Sequence, residues 1–356
     1  MLQNHLIKLL SESLDCNLAR IKCLCLLLAG LLRHRTVNLT ILATGNSSGS
    51  SNQSCYRRFQ DFFLNFALPL SAIGRLILSK IPKPPEGWVL SMDRTNWKYG
   101  KRHINILVIG VVVNKVAIPI VWKVLPQRTK RGNSNTTQRI SLLKKLLQLI
   151  DARDILVLTM DREFCGKKWL RGLDTQEVGY VLRVKGNTVV GDKSAREHAS
   201  TRGRKTKGPQ YILGMDLFFS SNPIKRGGRA SHLGVISNRF AGKEALNWYQ
   251  KRWGIELLFS HLKKRGFDLE ATHMTDGAKL EKLFALVSLA FLFSFGWGCQ
   301  LRASRVATKA MSRKSLFREG LEDLLRLLTN DLPDPYELRG FIRWLKRPFF
   351  DSFFIV

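Results

Sequence analysis

The sequence predicts an α/β fold: a core built on a sheet, carrying a β-strand insertion and preceded by a helical N-terminal domain. Three observations carry this. Between residues 87 and 184, β-branched apolar runs alternate with helical stretches in the order β-β-β-α-β-α-β. Before residue 80 and after residue 240 the apolar positions recur at helical spacing instead. Between Lys185 and Arg239 the helix signal vanishes and strand-like pieces sit among Gly-rich basic loops.

Each element has a local cause. Leu24 to Leu32 is a strongly apolar helix core, and Val37 to Ala43 begins a second helical stretch. Turn chemistry at Gly45 to Asn52 breaks it. In Tyr56-Arg57-Arg58-Phe59-Gln60-Asp61-Phe62-Phe63 the aromatics follow helical spacing and the two arginines fall on another face. That pattern suits a core helix and a helix whose arginines meet phosphate, and the two roles are compatible. Ile81-Pro-Lys-Pro-Pro-Glu-Gly87 admits neither helix nor central strand, so it reads as a linker. Trp88 to Asp93, Ile104 to Val113 and Val116 to Val124 read as a three-stranded meander with a turn at Asn114-Lys115. Ser134 to Ile150 is helical, and Asp154 to Asp161 is a wholly apolar strand that ends in an acid. A short helix near Lys167 to Leu173 and a strand from Gly179 complete the first half of the core. Helix returns from Ala241 through Arg265, again from Asp276 to about Thr308, and from Leu316 to Leu328, with a loop at Leu332-Pro-Asp-Pro335. The expected units are residues 1–80, 81–184, 185–239, 240–310 and 311–356.

Charge narrows the function. The 356 residues hold 58 Lys and Arg against 27 Asp and Glu, a net charge of +31. A fold needs no such excess, whereas a polyanion does, because each cation that meets a phosphate releases a condensed counterion. Nucleic acid is the first expectation and an anionic membrane surface the second. Enzymes of acidic substrates and neutral scaffolds are disfavoured. From Arg183 to Arg229 eleven Lys and Arg face three acids, which gives the insertion a cationic face that includes Arg202, Arg204, Lys205 and Lys207. The six cysteines form no C-x-x-C and sit at no zinc-finger spacing, so they read as free thiols of a reducing cytosol. No secretory signal pattern opens the chain. Leu283 to Cys299, seventeen uncharged residues, reaches the lower edge of membrane-spanning length. Basic residues flank it on both sides, so a helix buried inside a large domain is favoured over a span.

Two acids, Asp93 and Asp161, end separate apolar strands, where open α/β sheets expose reactive groups. Asp161 would alternatively cap the following helix. A third acid lies on the helix Trp248 to Lys263. At about 100° per residue, Tyr249, Arg252, Glu256 and Lys263 fall within a stripe of about 60°. Apolar residues surround the stripe, so a solvated face fits poorly, while a structural Arg252–Glu256 pair at i,i+4 remains open. Three carboxylates beside phosphate-binding cations suit phosphodiester cleavage with two Mg²⁺ ions, which prefer hard oxygen ligands. Arg252 and Lys263 would position phosphates. No zinc set, P-loop or nucleophile elbow competes.

At these residues the sequence resembles the DDE transposases of bacterial insertion sequences, in the IS-four family. Tyr249, Arg252, Glu256 and Lys263 match that family's signature Tyr-x2-Arg-x3-Glu-x6-Lys, and Asp93-Arg-Thr-Asn-Trp and Met160-Asp161-Arg-Glu-Phe look like its two aspartate contexts. The run from Tyr56 is similar to its N-terminal DNA-binding region, where Arg57 and Arg58 would meet DNA. The resemblance covers most of residues 35–300, and the family's C-terminal dimerisation region is hard to match in residues 301–356. It implies a ribonuclease-H-like core with a β insertion before the catalytic Glu256. It implies Mg²⁺-dependent cutting at transposon ends, with Mn²⁺ able to substitute, and attack of the freed 3′-OH on target DNA. It also implies a homodimer that pairs two DNA ends, DNA hairpins as one route of release, and contacts from Tyr249, Arg252 and Lys263 to the phosphates of the end. The expected setting is a bacterial cytoplasm, on the nucleoid and away from membrane. Two other readings compete: a DNA-binding repressor of transposition without catalysis, which leaves the three acids unexplained, and a stand-alone RNase-H-like nuclease or junction resolvase, which needs neither the insertion nor the signature helix.

Overall fold

The computed structural model describes residues 2–45, 49–126, 133–200, 208–226, 229–306, 314–329 and 334–350. The first five helices are α1 (Leu2–Ser13), α2 (Leu18–His34), α3 (Leu39–Leu42), α4 (Asn52–Asn65) and α5 (Leu70–Ser79). Their starts follow local capping: the side chains of Asn17, Asn38 and Ser51 accept from the first-turn amides of α2, α3 and α4. The apolar face of α4 buries Phe59, Phe62 and Phe63, which leaves Arg57 and Arg58 exposed.

After the proline-rich linker come β1 (Trp88–Tyr99), β2 (Arg102–Val113) and β3 (Val116–Val124), an antiparallel meander. Asn114 and Lys115 both have positive φ, 45° and 67°. That is the hairpin turn whose twist matches the strands. Then follow α6 (Thr136–Leu147), β4 (Ile155–Met160), α7 (Lys167–Thr175) and β5 (Tyr180–Arg183). The insertion supplies β6 (Val189–Val190), β7 (Lys193–Ser194), α8 (Ala195–Ser200), β8 (Gln210–Ile212), β9 (Met215–Arg226) and β10 (Arg229–Ser237). Helices α9 (Gly242–Lys251), α10 (Trp253–Leu262), α11 (Gly277–Val306), α12 (Leu316–Thr329) and α13 (Pro335–Leu345) complete the chain.

One eight-stranded sheet runs β3-β2-β1-β4-β5-β10-β9-β8. The β1–β4 and β4–β5 pairs are parallel and the rest antiparallel. This is a mixed α/β architecture consistent with a ribonuclease-H-like domain. Strands of the insertion extend the core sheet: Val235 to Ser237 of β10 pair with β5. Edge pairing offers the insertion a ladder already formed, so it shares the core's sheet.

Four local expectations change. Asp93 does not end its strand, since β1 continues to Tyr99 against β2. The helix expected from 241 to 265 breaks at Arg252. The loop expected at 332–335 is partly helix, because Pro335 opens α13 behind an Asp334 cap. A fixed φ and a missing N–H suit the first helical turn. Short β6, β7 and α8 in the insertion carry too few residues for periodicity to reveal them.

The long apolar helix α11 is a core element: 94% of its most apolar window is buried inside the protein. Its neighbours include β3, α2, α5 and α12. It crosses α12 at a pair of glycines. A Cβ on Gly298 would collide with the Leu316 carbonyl oxygen, and one on Gly320 would collide with that of Ser294. Neither backbone has room to retreat without separating the helices. Gly320→Ala is therefore expected to destabilise by about 3 kcal/mol, at the upper end of overpacking costs. Thermal unfolding reads this, and a melting temperature equal to wild type would show that the crossing is not tight.

Candidate active site

The sheet register sets the site. Parallel pairing of β1 with β4 ends at Met92 opposite Met160. The next residue on each strand is an aspartate, Asp93 and Asp161. Neighbouring strands lie about 4.8 Å apart, and side chains alternate between faces, so both acids share a face. Ser91, Val89 and Val157 share it too, and Val157, Val181 and Val235 pack there with Ala245 and Tyr249 of α9. The opposite face is dry: Met92 and Met160 are fully buried, and Trp169 of α7 directs its indole N–H at Met160 Sδ, 3.3 Å away. Asp161 occupies an N-cap position before a 3-10 turn at Arg162–Phe164, but its side chain makes no cap bond. It accepts instead from Tyr249 Oη at 3.2 Å.

The third acid reaches this point because two helices cross that face. α9 lies over β4, β5, β9 and β10, and α10 over β1, β2 and β3. Between them Arg252 tightens the backbone, with its N–H donating to the Tyr249 carbonyl at 3.0 Å and its carbonyl accepting from Ile255 N at 3.1 Å. Gly254 then lets α10 close on β3, since a Cβ there would stand 3.0 Å from the Lys115 carbonyl oxygen. Ser91 Oγ donates to the Arg252 carbonyl at 3.3 Å, which ties the junction to β1.

Arg252 joins the acids. Its Nη2 donates to Glu256 Oε1 at 2.5 Å, its Nη1 stands 3.5 Å from Asp93 Oδ2, and its Nε donates to Tyr249 Oη at 3.1 Å. The chain Glu256–Arg252–Tyr249–Asp161, with Asp93 on the same guanidinium, is continuous. The guanidinium also lies 5.5 Å from the Tyr249 ring centroid, within cation–π range. Burial pushes the Asp93 carboxyl up to about 7, against the Arg94 amide and the Arg252 charge that lower it. Burial likewise pushes the Tyr249 phenol up to about 12, so it remains a hydrogen-bond donor at neutral pH. Among the described residues no three acid, histidine or cysteine side chains converge on one point that would hold a metal ion. Arg252 stands among the carboxylates and supplies the positive charge there.

Other candidates lie elsewhere. Lys263 leaves the stripe: it ends α10 with a non-helical backbone, and its Nζ bonds the Asn96 carbonyl at 2.9 Å and Glu270 at 2.8 Å. The angular projection fails because the helix stops one residue earlier. Arg202, Arg204, Lys205 and Lys207 lie outside the described residues. Trp253 on α10 is 56% exposed, while Trp248 packs on Phe240. The pairing of Arg94 with Glu163 escaped the sequence reading. Arg94 grips both Glu163 carboxylate oxygens, at 3.3 and 3.2 Å, and also bonds Asn105. Buried Arg139 holds the Glu163 carbonyl at 2.9 Å. This brace locks the residues that follow the two aspartates. Its only signal was an arginine directly after each aspartate, with the acid Glu163 two residues past the second.

No curated protein matches the sequence closely enough to count as a relative. The sequence model of the transposase DDE domain matches residues 80–293, a span that starts before β1, takes in the insertion and ends within α11. It contains Asp93, Asp161 and Glu256 with the whole sheet that gathers them, and the chain belongs to this transposase DDE domain family.

Proposed function

We propose that this transposase, of the IS-four branch, cuts the ends of a mobile DNA element and joins them to target DNA, with Asp93, Asp161 and Glu256 as its catalytic carboxylates. One observation carries the reading: two aspartates are adjacent in register on one sheet face, and a helix acid is linked to Asp93 through the shared Arg252 guanidinium and to Asp161 through Arg252 and Tyr249. The donor set is three carboxylates, the hard oxygen ligands that Mg²⁺ or Mn²⁺ takes. When bound, two such ions would neutralise the phosphate oxygens and ease formation of the attacking oxyanion. The chain's own groups do the rest. Tyr249 holds Asp161, and the Arg252 fork, which lies among the carboxylates, would grip a DNA phosphate beside them. In cleavage, water attacks the phosphorus and the 3′-oxygen leaves as a hydroxyl. In joining, the oxygen of that hydroxyl attacks a target phosphorus and gives up its proton, the P–O3′ bond of the target breaks, and the target 3′-oxygen leaves as a hydroxyl. Exposed Arg57 and Arg58 on α4 and the basic insertion supply further DNA contacts, and a homodimer holds two ends together.

The test is a cleavage assay on duplexes that carry the element's own end, with Mg²⁺. Well-folded protein that binds the end and never cuts it would leave the repressor reading. Asp93 makes the metal requirement pH-dependent. Its carboxyl, raised to about 7 by burial, must lose its proton to bind a cation. Mn²⁺ affinity, followed by electron paramagnetic resonance, is therefore expected to weaken by about tenfold per pH unit below 7 and to level off above it. A flat profile from pH 6 to 8 would remove Asp93 from the metal site.

A further inference from the structure

A second basic site flanks the carboxylates. A cleft of about 620 Å³ opens between the ends of β4 and β5 and the insertion, lined by Arg162, Arg183, Lys185, Arg196 and His232, with no acid in its lining. Arg162 directly follows Asp161, and Arg183 ends the strand beside it. Arg162 adjoins Asp161 in the chain and Arg183 acts electrostatically on the Tyr249 phenol, so the cleft lies beside the catalytic cluster. Among the described residues none of these four Lys and Arg side chains makes an ion pair, whereas Arg94 and Arg252 beside the catalytic cluster are paired. Arg162, Lys185 and Arg196 are exposed. The insertion builds the far wall: Arg196 lies in the first turn of α8, its backbone N–H donating to the Gly186 carbonyl at 2.9 Å. Gly234 on β10 keeps the floor low.

Four like charges in one cleft repel each other, and among the described residues no acid lines the cleft and no ion pair offsets them. A polyanion does so, and planar guanidinium forks match phosphate oxygens in pairs. We propose that this cleft grips the sugar–phosphate backbone of the DNA strand on the insertion side of the carboxylates. It does so through Arg162, Arg183, Lys185 and Arg196, without reading bases. The inference rests on the transposase reading for its purpose, namely to hold the strand in line with Asp161, but binding alone tests it.

The variant Arg162→Ala/Lys185→Ala/Arg196→Ala changes only exposed side chains. The measurement is affinity for a fluorescent duplex from 50 to 300 mM salt, beside a melting curve. The slope of log K against log salt is expected to flatten by about 2.7, roughly 0.9 for each phosphate that is no longer neutralised. The weakening should be equal for an element-end duplex and an unrelated one, because phosphates carry no sequence. Single methylphosphonates scanned along the strand should weaken wild type at a few neighbouring positions and leave the variant unaffected. An unchanged slope in a variant that melts like wild type would overturn the proposal, and so would a weakening confined to one sequence. If wild type binds but never cuts, the transposase reading fails while these binding results still decide the cleft.

Discussion

On the proposed function, Asp93→Asn, Asp161→Asn and Glu256→Gln are each expected to lower strand cleavage by at least about 10³-fold, because each removes a carboxylate that would hold a cation worth several kcal/mol of transition-state stabilisation. DNA binding should survive, since it rests on surface cations far more than on three acids. Stability separates the three. The folded Asp93 carboxyl sits near 7, above its unfolded value of about 3.9, because burial disfavours its charge. Between about pH 4 and 7 the folded protein keeps a proton that the unfolded chain has released. The metal-free protein therefore loses stability as pH rises through that window and bears the full cost above 7. Asp93→Asn removes this cost, so its melting temperature should exceed wild type most at pH 8 and approach it near pH 4. Added Mn²⁺ should raise the wild-type melting temperature at pH 8 and leave the variant unmoved. Wild-type cleavage by any of the three, or an Asp93→Asn stability gain that does not depend on pH, would break the assignment.

The sequence showed the site's parts better than their assembly. Continuous β-branched apolar runs showed the strands, and an acid after each of two runs marked the candidate site on the sheet's face. The pairing of Met92 with Met160, which sets the two aspartates side by side, is a register between residues far apart in sequence, and no local pattern encodes it. The spacing of Tyr249, Arg252 and Glu256 was legible because about two turns of helix keep their geometry through the tightening at Arg252. Lys263 was misplaced because the helix ends at Leu262, and the ion pair with Glu270 draws it aside. The Arg94–Glu163 brace was invisible for the same reason as the register, since its partners come from different strands. Membrane-like α11 was settled by what surrounds it. Composition alone cannot tell a helix wrapped by α2, α5 and α12 from one wrapped by lipid.

Removing the Arg252 guanidinium is expected to have the second largest effect, and on two quantities at once. Arg252 is 9% exposed, bonds Tyr249, and neutralises both Glu256 and Asp93. Arg252→Ala leaves those acids unpaired. Breaking a fully buried pair costs about 3–5 kcal/mol, but the Glu256 side chain is 36% exposed and solvent screens it, so about 2 kcal/mol is expected here. Arg252→Lys keeps a charge without the fork, so it should recover part of the melting temperature. Cleavage per folded molecule should stay about 10²-fold low in both variants, because a phosphate held by a single contact drifts from the in-line position. Metal binding tells positioning from scaffolding. If the guanidinium holds the place that cations take, Arg252→Ala should bind Mn²⁺ at least as tightly as wild type, since a competing charge is gone. If Arg252 only shapes the carboxylates, Mn²⁺ affinity should fall together with the melting temperature. Single-turnover cleavage at saturating Mn²⁺, on protein shown to be folded, completes the comparison. Normal cleavage there would reduce Arg252 to a structural partner of Glu256.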